Sequence, residues 1–195
     1  MREGLTAAVI AGGAGRRMGT DKRAMLVDGV PLLSRSVSAV AALASEVVVA
    51  TSRARPLPIE LPGVRIVHDR VADGGPLSGI EAALAAATHE LVLVVAGDMP
   101  WLQEPLLRLL VDRARALTEA DAVAIESARG MEPLLAVYRP AALRVTTRLL
   151  DHQIYRVGRL LELLRTRGIP EQEWRRVDPD ARSLANVNRP EDLPR

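Results

Sequence analysis

The run Leu91-Val92-Leu93-Val94-Val95-Ala96 has no polar interruption and stops abruptly at Gly97-Asp98-Met99-Pro100. A short apolar segment without alternation cannot leave one face in water. It reads as a strand covered on both faces, which requires a sheet with helices above and below. The rest of the chain supplies those layers. Apolar runs predict further strands at Leu5–Ile10, Val47–Thr51, Val64–Val67, Ala122–Ile125 and Leu134–Tyr138. Alanine- and leucine-rich segments predict helices at Leu32–Ala44, Leu77–Ala87, Pro105–Ala116, Ala141–Leu150 and Arg156–Arg165. Pro31, Pro76 and Pro140 stand where helices would begin, as proline's preference for the first turn suggests. The expectation is an α/β, three-layer fold with a mostly parallel central sheet. The pattern loosens after Ala120, so the sheet is expected to become mixed there, with Gly130 to Arg139 a hairpin-like addition carrying substrate contacts. A length of 195 residues suits one domain, 1–195. Pro56-Leu57-Pro58 and Leu61-Pro62-Gly63 read as a stiff loop within it rather than a linker.

Composition excludes several classes of function. Arginine is spread along the chain, the net charge is only +2, and the aromatic residues are two Trp and two Tyr with no Phe. Neither a basic face nor a stacking platform for nucleic acid is indicated. The absence of cysteine excludes disulfides, thiolate zinc sites and cysteine nucleophiles. The short apolar run after Met1-Arg2-Glu3 passes straight into glycines, which makes a poor secretory leader. No stretch approaches the roughly 20 apolar residues of a membrane span. The expected setting is cytoplasmic, with no membrane and no nucleic acid as partner. His68, His89 and His152 have no metal-ligand spacing, and no Ser-His-Asp arrangement can be read.

The first predicted strand runs into Ala11-Gly12-Gly13-Ala14-Gly15-Arg16-Arg17-Met18-Gly19-Thr20-Asp21-Lys22. Lys22 is the one lysine among 26 basic residues, a compact ammonium in a chain that otherwise uses guanidinium. A dinucleotide fingerprint needs G-x-G-x-x-G; Gly13, Gly15 and Gly19 are one residue too widely spaced, and Thr51-Ser52 supplies no carboxylate after the second strand. A P-loop needs G-K-[ST]; here Thr20-Asp21 separates Gly19 from Lys22. What remains is a glycine-rich loop whose main-chain N–H groups can approach a nucleotide, with Arg17 and Lys22 as cations for triphosphate oxygens. The competing explanation is a glycine-rich turn with incidental cations. Asp98 closes the most apolar run, and Asp69 follows the Val64–Val67 strand. Both belong at the carboxyl edge of the sheet, where open α/β folds bind ligands. Magnesium takes one or two carboxylates together with phosphate oxygens and waters, so Asp98 is the expected metal ligand. Asp69 would bind the nucleotide or a metal-bound water.

These segments resemble the nucleoside-triphosphate transferases of Rossmann-like, GT-A-type fold, and within them the molybdenum cofactor guanylyltransferases of the MobA type. Ala11-Gly12-Gly13 stands where cytidylyl- and uridylyltransferases usually have Ala-Ala-Gly. The resemblance continues through Leu26-Val27-Asp28-Gly29-Val30-Pro31-Leu32, Asp69 with Gly74-Gly75-Pro76-Leu77-Ser78-Gly79, Gly97-Asp98-Met99-Pro100, and Asn186-Val187-Asn188-Arg189-Pro190-Glu191-Asp192-Leu193. It implies transfer of GMP from GTP to the terminal phosphate of molybdopterin, with Mg2+ as cofactor and a transient protein partner that delivers the pterin. By matched position, Ile10, Ala11, Gly12, Gly13, Lys22, Ser52, Asp69 and Asp98 take the GTP-site roles. Lys22, Asp98 and Arg17 take the catalytic ones, and Asn186 and Asn188 hold the pterin or order the site. Capping of the following Pro190-Glu191-Asp192 turn is the other reading of the two asparagines. The chain departs from its relatives at Ser52, often asparagine there, and at Glu132 before Pro133, often histidine. A cytidylyltransferase acting on molybdopterin or on a sugar or polyol phosphate stays open as an alternative, as does a non-catalytic nucleotide-binding regulator.

Overall fold

The computed structural model describes residues 4–12, 21–187 and 192. The first half of the chain forms β1 (Leu5–Ile10), β2 (Leu26–Val27), β3 (Val30–Pro31), α1 (Leu32–Ala41), β4 (Glu46–Thr51), β5 (Arg65–His68) and α2 (Gly75–Ala86). There follow β6 (Leu91–Ala96), α3 (Glu104–Ala116), β7 (Ala122–Ser127), β8 (Gly130–Tyr138), α4 (Ala141–Asp151), α5 (Gly158–Leu163), β9 (Thr166–Ile169) and α6 (Glu171–Trp174). Seven strands make one sheet in the order β5-β4-β1-β6-β8-β7-β9. β1 pairs in parallel with β4 and β6, β4 with β5, and β7 with β9. Only β8, among the described strands of this sheet, runs against its neighbours β6 and β7.

The reversal has a local cause. β7 and β8 are joined by Ala128 and Arg129 alone, and a connection that short can only return antiparallel. Gly130 takes up φ +103° at the turn, and the Ser127 hydroxyl donates to its carbonyl at 3.2 Å. The expected hairpin is therefore present, but it is no appendage: β8 is a nine-residue strand set between β6 and β7 inside the main sheet.

β1 shows how two layers of helices follow from one strand. Leu5, Ala7 and Val9 lie in one core cluster with Leu33, Val37 and Val40 of α1 and Leu106, Leu107 and Leu110 of α3, a cluster that extends as far as Trp174 of α6. Ala8 and Ile10 belong to the opposite cluster, with Leu77 and Ile80 of α2, and that cluster extends to Leu149 and Leu150 of α4 and Leu160 and Leu161 of α5. All six residues of β1 and all six of β6 are buried. Each Val, Leu or Ile fully buried this way contributes about 1.5–3 kcal/mol.

The main departures from the expectations lie in three regions, besides shifts of one to two residues at other element ends such as β5 and α5. Asp28 and Gly29 have φ of 50° and 78°, as a type I′ hairpin turn requires, and join β2 to β3 just before α1. β9 and α6 lie beyond the last expected helix; Trp174 of α6 is buried, and its indole N–H donates to the Glu126 carbonyl at 2.9 Å. α1 ends at Ala41 rather than Ala44, because the chain must turn to let the Ser45 N–H reach the Leu5 carbonyl at 3.0 Å before β4 begins.

α2 lies close over the carboxyl end of β1, where a Cβ added at Gly79 would sit 2.7 Å from Ile10 Cγ2. That methyl is β-branched and stiff. Helix propensity alone would favour Gly79→Ala by about 0.5–1 kcal/mol, but overpacking of this kind costs about 1–3 kcal/mol. Gly79→Ala should therefore lower the urea midpoint with an unchanged m-value; a raised midpoint would show that α2 does not pack this tightly on β1.

Candidate active site

Four backbone hydrogen bonds build the carboxyl edge. The Ala11 N–H donates to the Ala50 carbonyl at 2.8 Å, and the Gly97 N–H to the Ile10 carbonyl at 2.9 Å, so the ladder continues just past the ends of β1 and β6. The Asp69 N–H donates to the Thr51 carbonyl at 3.1 Å, fixing Asp69 one residue beyond β5. The Val187 N–H donates to the Asp98 carbonyl at 2.9 Å, which carries the C-terminal segment, with Asn186 exposed, to the same place.

Close backbone approach explains two of the glycines. A Cβ on Gly12 would lie 3.2 Å from Asp69 Oδ2. A Cβ on Gly97 would lie 3.1 Å from Leu33 Cδ1 and 3.2 Å from the Ile10 carbonyl. Side chains at either position would push the two carboxylate-bearing turns away from β1.

Lys22 reaches this edge from a 3₁₀ turn, Lys22–Ala24, whose N-cap is Asp21. Lys22 Nζ donates to Asp98 Oδ2 at 2.7 Å, with side-chain exposures of 21% and 17%. The other oxygen of that carboxylate, Asp98 Oδ1, is buried and has no hydrogen-bond partner among the described residues; the same is true of Asp69 Oδ1. Burial pushes the Asp69 carboxyl above its ordinary pKa, against the opposing charge of neighbouring His68. The site thus presents two carboxylates with under-used oxygens, an arrangement that calls for a cation. Among the described residues no three His, Cys, Asp or Glu side chains are grouped to hold a metal. The donor set suits magnesium, which accepts a carboxylate or two and completes its shell with phosphate oxygens and water.

The structure brings Ile10, Ala11, Gly12, Lys22, Asp69 and Asp98 together. Ile10 and Ala11 are buried, with the Ile10 carbonyl and the Ala11 N–H already used in the sheet ladder. Ser52 stands just past β4 at the same edge, with its hydroxyl accepting from the Ala54 N–H at 3.3 Å and its carbonyl from the Arg55 N–H at 3.0 Å. Gly13, Arg17 and Asn188 lie outside the described residues. Glu132, near the start of β8, is tied to the Ser127 hydroxyl at 2.7 Å and to Arg129 at 3.3 Å. His89 lies at the opposite edge, its ring 3.0 Å from the Thr6 hydroxyl and 3.9 Å from Glu46.

Two arginines that sequence reasoning passed over follow the site residues directly. Arg70, next to Asp69, grips the buried Glu81 of α2 through both carboxylate oxygens (2.8–3.1 Å) and reaches Asp151 of α4 at 2.9 Å. Arg23, next to Lys22, is bonded to the loop after β4. Adjacency to Lys22 and Asp69 was the main signal available, since apart from Asp21 the partners are remote in sequence.

With this geometry in place, the comparisons with known proteins are direct. The profile of the MobA-like NTP transferase domain matches residues 7–168. A protein of Chloroflexus aggregans named probable molybdenum cofactor guanylyltransferase is 37% identical over 191 residues, covering 95% of this chain and 89% of its own. A molybdenum cofactor guanylyltransferase of Desulfosudis oleivorans is 31% identical over 194 residues, covering 98% and 93%. The crystal structure of molybdopterin-guanine dinucleotide biosynthesis protein A from Archaeoglobus fulgidus superimposes with a TM-score of 0.81 at 26% identity, over 96% of this chain and 94% of that one. The chain belongs to the MobA-like NTP transferase family and is a nucleotidyltransferase.

The raised pKa of Asp69 has a consequence for stability. A carboxyl held above its unfolded value binds its proton more tightly in the folded chain, so it costs stability once pH exceeds the unfolded value and nothing when the proton is bound in both states. Asp69→Asn removes that cost. The variant should melt higher than the parent at pH 7 in the absence of nucleotide, and the gain should shrink as pH falls through the raised carboxyl range toward the ordinary one. An equal or lower Tm at pH 7 would contradict the burial argument.

Proposed function

We propose that this MobA-like NTP transferase moves GMP from GTP onto the terminal phosphate of molybdopterin, giving molybdopterin guanine dinucleotide and pyrophosphate. The Lys22–Asp98 pair at the carboxyl edge, with Gly12 and Asp69 beside it, is the observation that carries the reading. The names of the relatives from Chloroflexus aggregans and Desulfosudis oleivorans support the guanine base and the molybdenum cofactor as its substrates. A cytoplasmic setting and a protein that hands over the pterin belong to the same reading.

The chemistry needs no histidine base. The attacking phosphate oxygen is already ionised at neutral pH. It forms a bond to the α-phosphorus while the α–β bridging bond breaks and the electron pair leaves on pyrophosphate. The obstacle is bringing two anions together, so catalysis consists of positioning and positive charge. Lys22 supplies a mobile ammonium for triphosphate oxygens. Past Ala11, whose N–H is spent on the Ala50 carbonyl, the glycine-rich segment would offer N–H donors where glycine permits close approach. Asp98 would hold magnesium, and Asp69 would accept from the nucleotide or from a metal-bound water. When bound, magnesium would supply charge neutralisation at the phosphates. Asn186, next to Val187 whose N–H donates to the Asp98 carbonyl, would contact the pterin or order the site.

Two experiments test this. In a thermal-shift panel with magnesium, GTP should raise Tm more than ATP, CTP or UTP at equal concentration; stabilisation by CTP alone would replace the reading with a cytidylyltransferase. Lys22→Arg keeps the charge and changes the head group. It should lower kcat about 10²–10³-fold, the scale of losing one preorganised donor, with the far-UV spectrum unchanged. Normal turnover by that variant would remove Lys22 from the mechanism.

A further inference from the structure

We propose that Arg23 is a positioning residue that locks the Lys22 turn to the loop after β4, so that the phosphate-binding ammonium and the nucleoside side of the site move as one body. The inference rests on the GTP-site reading above and goes beyond it, since Arg23 touches none of the groups placed in the chemistry.

The geometry is that of a saturated fork. Arg23 Nε donates to Asp21 Oδ1 at 2.8 Å and Oδ2 at 3.0 Å, and Nη2 donates to Asp21 Oδ2 at 2.5 Å. Nη2 also donates to the Pro56 carbonyl at 3.0 Å. Nη1 donates to the Thr51 hydroxyl at 3.0 Å and to the Arg55 carbonyl at 3.2 Å. Every nitrogen of the guanidinium is used, and the side chain is only 11% exposed. A cation this covered is tolerated only when its donors are met. Here they are met by two separate pieces of chain: the cap of the Lys22 turn, and the loop that contains Ser52.

The turn needs such an anchor. A 3₁₀ segment of three residues has little stability of its own, and Lys22–Ala24 buries no residue. Its internal support is the Asp21 cap on the Arg23 N–H at 3.0 Å, with the Ala24 N–H on the Asp21 carbonyl at 3.0 Å and the Met25 N–H on the Lys22 carbonyl at 3.1 Å. The Leu32 N–H, donating to the Met25 carbonyl at 2.7 Å, ties the turn to α1, and the Arg23 guanidinium ties it to the end of β4. The anchor also calls for arginine. Lysine offers one ammonium and no planar fork, so it could reach Asp21 or the loop carbonyls but not span both. A positional error of about 1 Å in a substrate-holding group costs up to about 10²-fold in rate, which gives the anchor something to protect.

The test separates a positioning role from a purely structural one by comparing the two substrates. R23Q, R23K and T51V are assayed with Mg·GTP and with the molybdopterin acceptor, alongside Tm. The KM for GTP should rise about tenfold or more in R23Q, the low end of what supporting groups around a site contribute, while the KM for the acceptor stays within twofold. R23K should recover only a small part of the loss, and T51V, which deletes one acceptor of the fork, should shift the GTP KM in the same direction by less. The proposal is overturned if R23Q leaves the GTP KM within twofold of the parent, whatever Tm does, or if both KM values rise together as Tm falls. Should R23Q not fold, R23K and T51V decide by the same criteria. Failure of the parent protein itself to bind Mg·GTP would instead refute the GTP reading on which the proposal stands.

Discussion

Asp98 ends a strand that is buried on both faces, and a carboxylate in that position must find its compensation locally. Lys22 Nζ at 2.7 Å provides it. Much of the architecture at this edge can be understood as what keeps that contact in place. Gly97 lets the turn after β6 lie against the Ile10 carbonyl. The Asp28-Gly29 hairpin steers the chain from the Lys22 turn into α1, whose Leu33 sits against Gly97. The Val187 N–H returns the C-terminal segment to the Asp98 carbonyl. Segments from residues 22 to 187 therefore converge on one carboxylate.

The partition between arginine and lysine follows from what each head group does. Where carboxylates or carbonyls must be held in a fixed arrangement, the chain uses the planar fork: Arg23 on Asp21 and the loop after β4, Arg70 on Glu81 and Asp151, and Arg165, just before β9, on both oxygens of Asp121. In the last pair the guanidinium also holds the Asp121 carboxyl below its ordinary pKa. Where a charge must be handed from one partner to another, a fork is a poor choice, since its hydrogen bonds are won or lost together. The single ammonium, with three rotatable donors, sits where substrate phosphates would compete for it.

How much of this could be read from the sequence depended on whether the cause was local. β1 and β6 were legible to the residue because burial on both faces leaves uninterrupted apolar runs. The place of Asp69 and Asp98 at the carboxyl edge was legible because each follows an apolar strand, whereas Lys22 stood out as the one lysine at the end of the glycine-rich stretch. β9 was not: Thr166-Arg167-Gly168-Ile169 has no pattern of its own and is a strand because β7 offers it a parallel partner. The β2–β3 hairpin carried its signal in Asp28-Gly29, but two-residue strands are too short for periodicity to register. β8 was expected as an addition because the reversal after Ala128-Arg129 says nothing about which strand it will lie beside. Arg70, and the loop contacts of Arg23 beyond its neighbour Asp21, were illegible for the same reason as β9, those partners being set by the tertiary fold.

The features that make this edge useful are also the ones that cost stability. Gly12 and Gly97 give up the backbone restriction a side chain would provide, so that two acidic turns can close on β1. Asp69 is held where burial disfavours its charge, and one oxygen of each carboxylate lacks a partner among the described residues. A fold optimised for stability alone would place asparagine or an apolar side chain at these positions. The cost is confined to one edge because α2, anchored through Gly79 and Ile10, and the arginine forks at Asp21 and Glu81 stiffen the surrounding chain without entering the site. Acceptors left without a partner are open to cations and hydrogen-bond donors, which is the chemistry the proposed nucleotide site calls on.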